Sequence, residues 1–241
     1  MLYIKKNAIL FCFVKRDYIQ FSIGMLLTLA VMSFAMKPAS AENRIEVYGG
    51  FQTSPHSIVT GEFSVDSETR EKRRFNAGWE GKSFEMPPYY GLRFTNWEQN
   101  VGWGIDFTHS KAYLDEDTKK EASFELLAFT DGLNNLTVHR QKKYFVTQAG
   151  SDLYYGVGLG IIVPHVEVQV ENSSPKTYDY QFGGPSVAFN SGIIIPWDEK
   201  IHIFSEYKFT ASWLNVDLIG GGNMKTLLLT NALNVGLGFQ F

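Results

Sequence analysis

The sequence predicts an all-β protein, an eight-stranded antiparallel outer-membrane β-barrel with long extracellular loops. Three observations lead there. Residues 43–241 carry repeated segments in which apolar and polar side chains alternate with period two. The connections between these segments run about 34, 2, 22, 5, 10, 5 and 12 residues, so long and short alternate strictly, as in a barrel whose termini share one side. The polar face of the last segment bears no charge, which suits a narrow lumen better than a water-exposed wall.

Composition allows this reading and excludes others. Hydrophobic residues make up 44% of the 241 and aromatics 15%, enough for a core. A mean hydropathy near zero is too polar for a bundle of membrane helices. The formal charge of −3 leaves no nucleic-acid footprint. The single cysteine, Cys12, excludes a disulfide framework and any multi-cysteine metal site.

The N-terminal 41 residues read as an address. Lys5, Lys6, Lys15 and Arg16 precede the apolar run FSIGMLLTLAVMSFAM, which is followed by Ala39-Ser40-Ala41. That order describes a secretory signal peptide over 1–41, leaving a transmembrane β-barrel domain over 42–241. A single membrane anchor would need an apolar run of about 20 residues without a small-residue cleavage site. Cleavage leaves 17 basic and 24 acidic side chains, a formal charge of −7, and removes Cys12.

Eight strands are expected near 43–53, 88–98, 101–110, 133–146, 152–170, 181–195, 201–213 and 226–241. In the last, Leu227, Leu229, Leu233, Val235, Leu237, Phe239 and Phe241 share one face. Thr226, Thr230, Ala232, Asn234, Gly236, Gly238 and Gln240 share the other. The small, uncharged face belongs in the lumen, and the apolar face meets hydrocarbon. The same parity places Glu46, Arg93, Asp106, His139, Glu206 and Lys208 inside as a network of paired charges. In the fourth strand it turns Arg140 and Lys142 outward, which requires either a rim position or a register shift, because a charge at mid-membrane costs roughly 2–4 kcal/mol. In the fifth strand Leu153 to Val163 face lipid. At Pro164 the parity is expected to change, which puts His165, Glu167 and Gln169 on the inner face.

Chemistry-bearing side chains gather at the loop end. His165-x-Glu167 sets an imidazole beside a carboxylate, and His56 follows the first strand. Two histidines and a carboxylate form a known iron-binding pattern, so His56, His165 and Glu167 are the candidate metal ligands. Asp131 enters the fourth strand, while Trp79, Lys82 and Glu85 lie in the segment leading into the second. Lys225 brackets the last loop. His56, His165, Glu167, Glu85 and Asp131 are therefore catalytic candidates; Lys82, Trp79 and Lys225 are substrate-binding candidates. Gly220-Gly221-Gly222 lacks the Lys-Ser/Thr of a phosphate loop, and no G-x-S-x-G is present. The charge run DSETREKRR reads as solvated, with basic groups able to grip lipid phosphates.

The segments RIEVYGGFQTSPHS, AGWEGKSFEMPPYYGLR, FTDGLNNLTV, GLGIIVPHVEV, YQFGGPS and SEYKFT resemble the outer-membrane lipid A oxidase family across nearly all of residues 43–241. The resemblance implies O2-dependent oxidation of the proximal glucosamine of lipid A to 2-aminogluconate, O2 as co-substrate, and a divalent metal of unknown identity. It implies lipopolysaccharide of the outer leaflet as partner, with the barrel assembly machinery acting during biogenesis on the C-terminal LNVGLGFQF. It also implies a cell outer membrane location, and the alternation of long and short connections puts both barrel termini in the periplasm. The competing readings are a non-enzymatic barrel, adhesin or structural, and another lipid A-modifying enzyme. A deacylase would need a serine–histidine pair on one face; none is evident, since His56-Ser57 and His109-Ser110 are adjacent and point to opposite faces.

Overall fold

The computed structural model describes residues 41–241; the signal-peptide segment falls, up to residue 40, outside the described residues. Ten antiparallel strands form the wall: β1 (Ala41–Ser64), β2 (Arg70–Glu80), β3 (Tyr90–Glu98), β4 (Val101–Leu114), β5 (Phe124–Val146), β6 (Asp152–Val170), β7 (Lys176–Tyr180), β8 (Gly184–Pro196), β9 (Ile201–Leu218) and β10 (Gly222–Gln240). A short helix, α1 (Glu116–Glu121), links β4 to β5. Strand β10 pairs with β1, so the ladder closes into a ring. The ten strands fill eight wall positions. Beyond β3, β2 takes its place between β1 and β4, and beyond β8, β7 continues against β6. Closure leaves the transmembrane part no unpaired edge.

The half of the barrel near the termini alternates as expected. On β1, Ile45, Val47 and Phe51 are exposed while Glu46, Tyr48 and Gln52 are buried. On β10, Leu233, Val235, Leu237 and Phe239 face out. An outward apolar band around a polar interior is the arrangement of an outer-membrane barrel. The expected lumen residues meet there. The Arg93 guanidinium contacts Glu46 at 3.2 Å, Asp106 at 3.1 Å and Glu206 at 2.5 Å. Lys208 Nζ lies 2.8 Å from Asp106 and donates to Thr108 at 2.6 Å. His139 pairs with Thr95, and His202 with Glu46. Glycines make the room: a Cβ on Gly236 would sit 2.5 Å from the Phe204 ring, and one on Gly238 2.1 Å from His202.

Arg140 and Lys142 do face outward, without a register shift. They pair with Trp103 and Val101 beside the tight β3–β4 turn, and Arg140 lies 5.5 Å from the Trp103 ring. The rim position explains how the charges are tolerated.

Two expectations fail. The long connections are mostly strand: β1 continues to Ser64 rather than ending near 53, β5 starts at Phe124 rather than 133, and β2 and β7 were not foreseen. Parity also does not change at Pro164. Tyr154, Ile162, Val166, Val168 and Val170 all point inward, because the even positions keep one side throughout β6. What changes is the chemistry of the faces. Toward the loop end, Val59, Phe63, Leu114, Phe124, Leu127, Phe129, Val166, Val168, Leu218 and Met224 build an apolar core inside the ring. The polar side chains there, His165 and Glu167 among them, stand on the outer wall. Between the charged plug and this core lies a cavity of about 10 Å³, barely one water, lined by Thr108, Asn135 and Lys208 among others.

Candidate functional site on the outer wall

The outer wall above the apolar band carries a group of side chains that could hold a metal ion. Two strands bring it together. On β6, His165 and Glu167 are two residues apart on one face and only 3% and 8% exposed. On β5, the six residues from Ala128 to Leu133 oppose the four from Glu167 to Pro164. This bulge swings Thr130 and Asp131 toward His165. Gly132 closes it at φ +120, a conformation that suits glycine, with a Cβ position only 2.6 Å from His109 and Asn134.

His165 Nδ1 lies 3.6 Å from Asp131 Oδ2 and 3.7 Å from Glu167 Oε1. One imidazole nitrogen and two carboxylate oxygens fall within 4.8 Å of one another. The Thr130 hydroxyl donates to Glu167 and sits 3.2 Å from His165 Nδ1. Lys176 Nζ approaches the other Glu167 oxygen at 3.2 Å. From β7, the rings of Tyr178 and Tyr180 pack against His165 with centroids 4.5 and 4.6 Å away, and Tyr180 donates to the Asp131 carbonyl.

A second group adjoins it along β4. The period that sends Ile105 and Phe107 into lipid continues to His109, Lys111 and Tyr113. Lys111 donates to the Glu85 carbonyl at 2.8 Å, and Lys82 Nζ stands 4.5 Å from the Tyr113 ring centroid. Tyr90 stacks on His109 at 5.0 Å. Asn134 Oδ1 accepts from His109 Nδ1 at 2.9 Å, which leaves Nε2 as a buried lone pair without a partner. Burial, then the carboxylates of Glu85, Glu167 and Asp131, push the Tyr113 phenol up; burial and Asp131 do the same to Tyr180. Burial holds the Lys111 ammonium below its usual value. The shared field of Asp131 joins the two groups into one patch.

Five sequence candidates, Lys82, Glu85, Asp131, His165 and Glu167, occupy this wall. Three do not. His56 lies beyond a register shift between Ser54 and Ser57, is exposed, and lines a separate hollow of about 480 Å³ with Asn76, Asp115 and Asp117. It therefore does not complete a ligand set with His165; Asp131 takes that place. Trp79 points inward, packs 6.0 Å from Phe129 and donates to Ser57, so it is a core residue. Lys225 lies on β10, outside this patch. Sequence reasoning missed Tyr90, His109, Lys111, Tyr113, Thr130, Lys176, Tyr178 and Tyr180. Unbroken period-two parity along β4 would have found His109, Lys111 and Tyr113.

The donor set of Asp131, His165 and Glu167 fits a divalent cation in ligand type and spacing, although with one imidazole rather than two. No protein-family model and no curated protein matches the sequence. Among solved structures, the chain is similar to the outer-membrane protein AlkL (12% identity, 86% of this chain and 93% of that one, TM-score 0.49). It is also similar to Neisserial surface protein A (10%, 84% and 98%, TM-score 0.46) and to OprG from Pseudomonas aeruginosa (13%, 84% and 96%, TM-score 0.45).

Proposed function

We propose that this protein is an outer-membrane lipid A oxidase that converts the proximal glucosamine to 2-aminogluconate with O2 as co-substrate. One observation carries the reading: the imidazole–carboxylate group lies just beneath the surface of the outer wall, reached through the half-exposed Asp131, directly above the band that meets hydrocarbon, while charged and apolar side chains fill the ring. A substrate that stays in the outer leaflet reaches such a site sideways, with its acyl chains still in lipid. The likeness of GWEGKSFEMPPYYG and YQFGGP to the oxidase family supplies the reaction.

The residues divide the work by their chemistry. Tyr90, Tyr178 and Tyr180 offer aromatic faces for a sugar ring. Lys82 and Lys111 face the acidic or phosphorylated part of the substrate. Asp131, the half-exposed member of the group, takes the proton that leaves the sugar hydroxyl, and His165, held by Thr130 between the two carboxylates, keeps its one lone pair for a cation. Asp131, His165 and Glu167 would hold a divalent cation, whose chemistry when bound is to polarise oxygen ligands and activate O2. The proposal puts the protein in the outer membrane with its termini periplasmic, and the exposed apolar band supports the membrane location. Phe239 and Phe241, stacked 6.2 Å apart, form the end that the assembly machinery would read.

The test is mass spectrometry of lipid A from cells expressing the protein. The expected result is one added oxygen on the proximal sugar, dependent on O2, and lost in His165→Ala and Glu167→Gln proteins that still reach the surface. Unchanged lipid A in cells with confirmed surface protein would overturn the oxidase. That outcome would favour a non-enzymatic barrel, which the strand-built loop end, with its own apolar core, would equally support.

A further inference from the structure

The wall opposite this site carries a second feature. A trough of about 680 Å³ runs over β10, β9 and β1, lined by Ile58, Phe182, Trp213 and Leu227 with Arg74 and Lys225 at its head. The four apolar side chains are all exposed, between 40% and 57%, and continue the lipid-facing band. Thr60 pairs with Lys225 on one side and with Arg74 on the other, which sets the two cations two strands apart, about 10 Å between backbones. Both cationic side chains are exposed, and neither makes a salt bridge or a side-chain hydrogen bond among the described residues. The carboxylates on the same face, Glu62 and Asp217, lie further from the band, and Glu62 is paired with Lys72 at 3.4 Å.

We infer that this trough is a binding site for the phosphorylated head of an outer-leaflet glycolipid, with Arg74 and Lys225 on the phosphate and Trp213, Leu227 and Ile58 along the proximal acyl chain. Two unneutralised cations above an apolar floor match an amphiphile that is anionic at one end and hydrocarbon at the other. A membrane supplies such a molecule at this height and a free solute does not. The trough gives the chain a seat against Ile58, Trp213 and Leu227. The site rests on the barrel spanning the membrane, not on oxidation chemistry, and its ligand is held rather than transformed.

The experiment uses the full chain in phosphatidylcholine nanodiscs doped with bis-phosphorylated or dephosphorylated lipid A, with bound lipid counted by native mass spectrometry. The expected result is retention of the phosphorylated form, reduced about tenfold in Arg74→Gln/Lys225→Gln and kept in His165→Ala. Equal retention of the dephosphorylated lipid, or no change in the double variant, would overturn the assignment. Displacement by millimolar inorganic phosphate would also overturn it, pointing to a free-anion site. Because His165→Ala disables only the opposite wall, failure of the oxidase and failure of this site are distinguishable.

Discussion

The two halves of this barrel solve burial in opposite ways. Near the termini the ring is charged inside and apolar outside, with Arg93 among three carboxylates and Leu159, Val157 and Leu237 facing out. Near the loops the same strands carry Phe129, Leu127 and Val168 inside and His165, Glu167 and Lys111 outside. Backbone parity is continuous between them on β4, β6, β9 and β10 and shifts by one on β1 at the bulge after Ser54; around all of them the solvent changes. Where hydrocarbon surrounds the wall, apolar groups gain nothing by turning inward, so the lumen takes the polar ones. Where water surrounds it, the hydrophobic effect returns and fills the ring. The reactive groups sit at the crossing, which is where an amphiphile changes from chain to head.

Breaking the charged half should cost most. Arg93→Met leaves Glu46, Asp106 and Glu206 buried without their shared cation, and a loss of about 5 kcal/mol is expected, seen as failure of heat-modifiable migration on gels. Phe129→Ala, emptying the apolar half at a fully buried site, should cost about 4 kcal/mol in thermal unfolding while the lower barrel stays closed. Leu159→Arg tests the boundary itself: on the hydrocarbon face it should cost about 3 kcal/mol. Asp179→Arg on exposed β7 should change stability by less than about 0.5 kcal/mol. Equal effects at the two positions would place water, not lipid, around the lower wall.

A more modest effect than those in the wall concerns α1, at the loop end of the barrel. Asp115 accepts from Thr118 N at 2.8 Å, and its hydrogen bonds to Thr118 hold its carboxyl below the usual range. A lowered folded-state value means that the stabilisation is complete above the ordinary aspartate range and is lost as pH falls through the lowered value. Asp115→Ala should therefore cost about 1 kcal/mol at neutral pH and nothing in strong acid, read by amide exchange in α1.

Much of the lower half was legible. Period two in residues 226–241 fixed which side chains met lipid, because a strand has only two faces. The same rule placed Glu46, Arg93, Asp106, His139, Glu206 and Lys208 inside. The upper half was misread because inverted alternation looks like loop when apolar residues are assumed to face out, and because β1 shifts its own parity at the bulge after Ser54. The bulge ended the expected β1 near 53, and the assumption moved His165 and Glu167 to the wrong face and hid His109, Lys111 and Tyr113.

By itself the sequence determined the all-β class, the closed eight-position wall, the lumen charges and the clustering of His165, Glu167 and Asp131 near one rim. These follow from local alternation and from short-range spacing along single strands. Only the tertiary structure decided that Asp131, not His56, stands by His165, that Trp79 is core, and that Lys225 joins Arg74 on the far wall. Those are cross-strand facts, set by bulges and register, and a bulge of two residues in β5 leaves no periodic mark in the chain that contains it.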